Sequence, residues 1–172
     1  MRIVGGKWAG RDLTSPNDFR VRPTAERVRA ALLDLLKADL PNARVLDLFA
    51  GTGALGLEAL SRGARSADFV EFRPACLHAL KANVAALRMR DRTRIFKKDA
   101  LPFATMLTTA GAYDIAFCDP PYESRMLDRV IEGWQVTHFA RVLAVEHAAT
   151  HKLPKGALRR DFDDTAITIY RA

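Results

Sequence analysis

From residue 43 onward the chain alternates short apolar runs with longer stretches in which apolar residues return every three or four positions. The runs at 44–49, 67–71, 93–97, 113–118 and 142–146 have the length of buried strands. The stretches 54–61, 74–87, 100–108 and 126–134 carry helical spacing. The first stops at Gly63, and the second opens on Pro74, a favoured first-turn residue. Two last runs, 157–162 and 166–170, follow one another without a helix and predict an antiparallel pair. Strand–helix alternation requires parallel strands joined by right-handed crossovers. The expected fold is therefore α/β: a seven-stranded, mostly parallel sheet with a terminal antiparallel pair. Ligands on such sheets bind beyond the carboxyl ends of the strands, where strand order reverses.

Ahead of this core, residues 2–6 and 8–13 read as two short strands around a glycine turn. Pro23-Thr24 opens a helix with Thr24 as candidate N-cap, and Val28, Ala31, Leu32, Leu35 and Leu36 recur on its core face before Pro41. One domain is expected over 1–172, with a basic β/α extension at 1–38 and the main core at 43–172. The net charge is +7, and its position matters more than its size. Arg2, Lys7, Arg11, Arg20, Arg22, Arg27 and Arg29 face only Asp12, Asp18 and Glu26 in the first thirty residues. A second cluster joins Arg88, Arg90, Arg92, Arg94, Lys97 and Lys98 around Asp91. Clustering of this kind points to a polyanionic partner such as nucleic acid. Cys76 and Cys118 lack metal-ligand or disulfide spacing, and no apolar run has the length of a membrane span. A cytoplasmic monomer without a metal is the expectation.

Acidic residues end the core strands. Asp47 leads into Phe49-Ala50-Gly51-Thr52-Gly53-Ala54-Leu55-Gly56, Glu71 ends the second strand, and Asp99 follows the third. The glycines permit a sharp turn and close ligand approach, and the helix behind them offers free N–H groups. G-x-G-x-x-G with an acid 20 residues after Gly51 also fits a dinucleotide site. Asp47 argues otherwise, because a carboxylate beside the loop repels a pyrophosphate and attracts a cationic amino-acid group. A positively charged cofactor with an amino acid, a ribose and an adenine, such as S-adenosyl-L-methionine, accounts for the whole row. Asp99 also fits a plain helix N-cap before Ala100.

The fourth strand runs into Asp119-Pro120-Pro121-Tyr122. Prolines fix φ and supply carbonyls without N–H donors, so a carboxylate, a bare acceptor and an aromatic face share one strand tip. That set suits a flat base bearing an exocyclic amine. A turn with a capping Asp and a surface Tyr is the plainer alternative.

These four residues resemble the [DN]-P-P-[YF] motif of S-adenosylmethionine-dependent amino-methyltransferases. The segments 2–11 (RIVGGKWAGR), 22–29 (RPTAERVR) and 47–63 (DLFAGTGALGLEALSRG) further resemble the RsmD-like family, which methylates N2 of a guanine in bacterial 16S ribosomal RNA. The resemblance runs from residue 2 to Tyr170-Arg171 and departs at Arg73, where the family often carries an acid. It implies a Rossmann-like class I methyltransferase fold. Asp47, Phe49, Ala50, Gly51, Thr52 and Gly53 would surround the methionine end of the cofactor. Glu71 would meet the ribose, and Asp99 with Ala100 the adenine. Asp119, Pro120, Pro121 and Tyr122 would hold the target base, and Lys7, Arg11, Arg22, Thr24, Arg27 and Arg29 the RNA, with Trp8 as a helper. The implied partner is ribosomal RNA or a small-subunit assembly intermediate. A DNA adenine methyltransferase with the same turn is the nearest rival, followed by a non-catalytic RNA-binding module and a nicotinamide oxidoreductase.

Overall fold

The computed structural model describes residues 1–16, 23–121 and 125–172, with the backbone alone at 23–25. In chain order the elements are α1 (Pro23–Leu35), β1 (Arg44–Leu48), α2 (Ala54–Ser61), β2 (Ser66–Glu71), α3 (Pro74–Ala86), a 3-10 turn (Arg90–Arg92), β3 (Thr93–Lys97), α4 (Ala100–Thr105), β4 (Tyr113–Cys118), α5 (Met126–Thr137), β5 (Ala140–Ala148), β6 (Leu158–Phe162) and β7 (Thr165–Arg171). They build one sheet in the order β3-β2-β1-β4-β5-β7-β6. The first five strands are parallel, and strand order reverses between β1 and β4. The last two strands are antiparallel, but β7 inserts between β5 and β6 and pairs with both. Pairing with β7 from Val142 to Ala148 explains why β5 outruns the apolar run that marks it in sequence.

Strand alternation sends side chains to two apolar layers. One layer gathers Val45, Phe69, Phe117 and Ala144 with Ile3, Val28, Leu32, Leu57 and Leu80, so α1, α2, α3 and the N-terminal segment cover that face. The other joins Leu46, Leu48, Val70, Cys118 and Val145 to Leu127, Ile131 and Trp134, under α4 and α5. Two helices differ in length from the periodicity. α4 ends at Thr105, three residues short of the expected stop. α5 continues past Trp134 to Thr137, where His138 takes a left-handed conformation and donates its N–H to the Trp134 carbonyl. Val136 on this last turn is exposed, so it adds no core periodicity.

The N-terminal segment does not form two strands. Its pairing is one antiparallel bridge, Arg2 with Asp12, with backbone bonds from Ile3 to Arg11, Gly10 to Ile3 and Leu13 to Met1. The donors that would extend it go to α2 instead: Lys7 N–H to the Ser61 carbonyl at 2.8 Å and Trp8 N–H to Ser61 Oγ at 2.9 Å. Gly6 makes this docking possible. Its φ is +80°, and a Cβ there would sit 2.1 Å from the Ser61 carbonyl oxygen. Thr24 lies inside α1 rather than at its cap.

Glu58 is the centre of this attachment. Fully buried on α2, it accepts the N–H groups of Val4 and Gly5 at 2.9 and 2.8 Å. The same carboxylate pairs with Arg29 of α1 at 3.2 Å and with Arg62 at 3.3 Å, and Arg62 reaches on to Asp34. Arg29 also donates to the Arg2 carbonyl. One carboxylate therefore binds the segment, α1 and α2 together. Removing one member of a buried ion pair strands its partner, at a cost of about 3–5 kcal/mol. Glu58→Gln should lower unfolding free energy by about 3 kcal/mol in urea denaturation. A loss below about 1 kcal/mol would show that water replaces the carboxylate freely.

Candidate active site

Parallel register brings the acidic residues to one end and one face of the sheet. Asp47 pairs with Phe69 on one side and Phe117 on the other, and Phe117 pairs with Ala144. Two residues further on, Glu71, Asp119 and Glu146 follow at a common level. All continue the side-chain rows of Phe69, Phe117 and Ala144, so they emerge beside the layer covered by α1–α3. A cavity of about 490 Å³ opens across the strand tips, lined by Phe49, Val70, Glu71, Phe72, Arg73, Lys98, Asp99, Ala100, Asp119, Pro120, Pro121, Met126 and Glu146.

The glycine loop turns from β1 into α2. Phe49 leaves the strand at φ +56°, a left-handed conformation that a bulky side chain adopts only at a cost of about 1–3 kcal/mol. Gly53 then caps α2 at φ +84°, where a Cβ would stand 2.4 Å from Leu80 Cδ1. Beneath the loop, buried Asp47 accepts the Gly56 N–H through Oδ2 at 3.0 Å. A helix N-terminus that would attract a pyrophosphate thus already holds a carboxylate, which disfavours a dinucleotide. Burial pushes the Asp47 carboxyl up to about 8, the Gly56 hydrogen bond opposes this, and the Glu71 charge adds to it. Asn83, also buried, donates to the carbonyls of Thr52 and Thr14 and accepts the Thr14 N–H, which ties the loop to the N-terminal segment.

Glu71 accepts the Gly51 N–H at 2.9 Å and the N–H groups of Phe72 and Arg73 at 2.8 and 2.9 Å. The Arg73 guanidinium lies on the same carboxylate at 3.0 Å. Burial alone would raise the Glu71 carboxyl, but the Arg73 hydrogen bonds and charge, with the Phe72 N–H, hold it below the usual carboxylate range. A ribose reaching Glu71 must share it with Arg73, whose side chain is 55% exposed. Phe72, 53% exposed on the cavity wall, is an apolar surface that the sequence reading missed. Asp99 occupies the N-cap position of α4 but makes no side-chain cap bond, and its carboxylate faces the cavity beside buried Ala100.

Asp119 follows β4 directly, and the two prolines turn the chain along the cavity wall. Burial pushes its carboxyl well above the ordinary range, reinforced by the charges of Glu146 and Asp47. Glu146 is raised by burial and lowered by Arg29. Glu146 was not foreseen, although it ends an apolar run, Val142 to Val145, just as Asp119 ends Ile115 to Cys118. Phe49, Glu71, Asp99, Asp119 and Pro120 thus line one cleft, which Gly51 adjoins through its bond to Glu71. Its donor set, carboxylates level with a glycine cradle and an exposed aromatic ring, fits a cation carrying hydroxyls and a flat amine-bearing base.

The expected RNA contacts divide. Lys7 and Arg11 are exposed, although Arg11 donates to the Ala86 carbonyl, and exposed Arg27 stacks 5.7 Å over the Phe162 ring. Arg29 is a correction: 5% exposed and paired with Glu58, it does not reach the surface, and its charge is spent on the core. Arg22 and Tyr122 lie outside the described residues, as does the side chain of Thr24. The second basic cluster splits between the ends of β3. Arg94 pairs with Asp68 at 2.7 Å near one end, while Lys98 lines the cavity at the other.

The topology and the tip residues together define a Rossmann-like methyltransferase. Residues 1–162 match the family described as conserved hypothetical protein 95, and the chain belongs to that family. A curated relative from Escherichia coli K12, ribosomal RNA small subunit methyltransferase D, is 39% identical over 78% of this chain and 69% of its own. A relative from Bacillus subtilis, the putative rRNA methyltransferase YlbH, is 30% identical over 99% and 98%. The solved structure of the putative methyltransferase yhhF from E. coli superposes with a TM-score of 0.86, at 32% identity, over 99% of this chain and 97% of that one.

The raised Asp47 carboxyl makes stability depend on pH. Unfolded, it titrates near about 3.9, and folded at about 8. Its contribution is full below that window and is lost as pH rises through it, because the unfolded chain releases the proton first. Asp47→Asn has no proton to lose, so its stability relative to wild type should rise from about pH 5 to about pH 8 in urea unfolding. A constant difference across that range would mean that the folded carboxylate ionises without penalty.

Proposed function

We propose that this protein is an S-adenosylmethionine-dependent methyltransferase that modifies the exocyclic N2 of a guanine in small-subunit (16S) ribosomal RNA, in the cytoplasm. The names of its relatives support the RNA substrate. The observation that carries the reading is the position of Asp119-Pro120-Pro121 at the tip of β4, in the same cavity as Phe49, Glu71 and Asp99, with Gly51 bonded to Glu71. When bound, the cofactor supplies an electrophilic methyl group on a sulfonium. Asp47, beneath the cradle, accepts the Gly56 N–H and so fixes the turn that would hold the cofactor's amino-acid end. Glu71 and Asp99 accept from the ribose hydroxyls and the adenine amine.

A guanine amine is a weak nucleophile because its lone pair is delocalised into the ring. The Asp119 carboxylate and the Pro120 carbonyl accept its two hydrogens, which favours a pyramidal nitrogen with the lone pair turned toward the methyl donor. Fixing that line of approach contributes several kcal/mol. Once the N–C bond has formed, the nitrogen gives up one proton, and Asp119, with its raised proton affinity, is placed to take it. Tyr122 would stack on the base, worth about 1–3 kcal/mol. Lys7, Arg11 and Arg27, with Arg22, would hold the RNA backbone.

Three measurements test this reading. Asp119→Ala should lower the single-turnover rate by about 100-fold or more and leave S-adenosylhomocysteine affinity within about threefold of wild type by calorimetry. Methylation of small-subunit RNA, mapped by mass spectrometry, should fall on guanine N2; transfer to DNA adenine would refute it. RNA affinity should fall steeply with salt, and neutralising Lys7, Arg11 or Arg27 should each reduce the log–log slope by about 1. Slopes unchanged in all three variants would place the RNA elsewhere.

A further inference from the structure

Glu146 has no role in the chemistry above, yet it stands next to the residue that carries that chemistry. Cys118 pairs with Val145 across two neighbouring parallel strands, so Asp119 and Glu146 come next at one level. Phe117 and Ala144, two residues earlier, belong to the same apolar layer, which puts both acids on one face of the sheet. Both line the cavity. Strand order fixes which side Glu146 occupies. The candidate cofactor residues lie on or after β1, β2 and β3, Asp119 follows β4, and β5 is next outward. Glu146 therefore approaches the base site from the side away from the cofactor.

We propose that Glu146 reads the Watson–Crick edge of the target base by accepting guanine N1–H, and so makes the site selective for guanine. This rests on the guanine-N2 reading given above. The edge of guanine presents the N2 amine and then N1–H, two neighbouring donors. Asp119 and Glu146 supply two neighbouring acceptors in the matching order. In adenine the atom beside the amine is a bare N1, so its lone pair would face a carboxylate. A site built to receive a hydrogen bond rejects a base that cannot donate it.

Opposing influences act on the Glu146 carboxyl. Its near charges are Asp119 after β4 and Arg29 from α1, with Asp47 behind Asp119. Arg29 is held by Glu58 and supplies a fixed positive charge that favours the ionised Glu146. Burial and Asp119 outweigh it and raise the carboxyl, so the ionised acceptor forms when a donor arrives from the substrate.

The test uses small-subunit RNA in which a synthetic segment carries guanine, 2,6-diaminopurine or 1-methylguanine at the nucleotide mapped above. Diaminopurine keeps the amine but has a bare N1. Wild type should methylate guanine at least about 100-fold faster than either analogue. In the presence of S-adenosylhomocysteine it should also bind the guanine RNA more tightly. Glu146→Gln, whose amide can donate to a bare N1, should bring guanine and diaminopurine to within about threefold in rate and in affinity. Wild type using both bases equally would overturn the proposal, and so would a Glu146→Gln variant that keeps the wild-type preference. If the variant does not fold, the wild-type comparison alone decides. Failure of wild type to methylate guanine N2 at all would instead sink the underlying reading.

Discussion

Parallel register is the constraint on which this molecule turns. Hydrogen bonding locks β2, β1, β4 and β5 in step, so any side chain two residues past a paired core position must emerge at the same height. Here those side chains are acids. The backbone thus concentrates negative charge at one mouth, in a place where burial makes each charge expensive. The protein offsets this in different ways. Glu71 is neutralised by Arg73, Asp47 takes a helix N–H and retains its proton readily, and Asp119 and Glu146 hold theirs more tightly than free carboxyls do. A cationic ligand or a donor-rich base edge would favour the ionised form of these acids on arrival.

Much of the plan was legible in the chain. Six residues of strand ending in Asp119, and the glycines after Asp47, declare a strand–turn–helix site by residue type alone. The limits of α2, β3 and β4 follow directly from periodicity. Other features were hidden for physical reasons. Charge counting assigns Arg29 to the surface, because a sequence does not disclose that Glu58, inside an apolar helix, waits for it. The length of β5 and the insertion of β7 beside it come from pairing between distant residues, which no local pattern encodes. Glu146 was overlooked since a single acid closing an apolar run lacks the signal that two prolines give Asp119. Arg73 was seen as a departure, but only the fold revealed it lying on Glu71.

The two halves of the molecule meet at Asn83. Its amide bonds both to Thr14 of the N-terminal segment and to the Thr52 carbonyl of the glycine loop. A buried amide with these partners is well satisfied, and displacing it would leave backbone groups without hydrogen bonds. The candidate RNA-holding segment and the candidate cofactor cradle therefore share one joint.

The burial of Glu58 carries a lesson for anyone wishing to engineer this scaffold. The leading segment looks detachable, like a tag that could be trimmed or exchanged to redirect the catalyst. Cutting it away would uncap a carboxylate in the interior and leave Arg29 without the Arg2 carbonyl that completes its coordination. A successful chimera must transplant the leader, its helix and that acidic side chain as one unit.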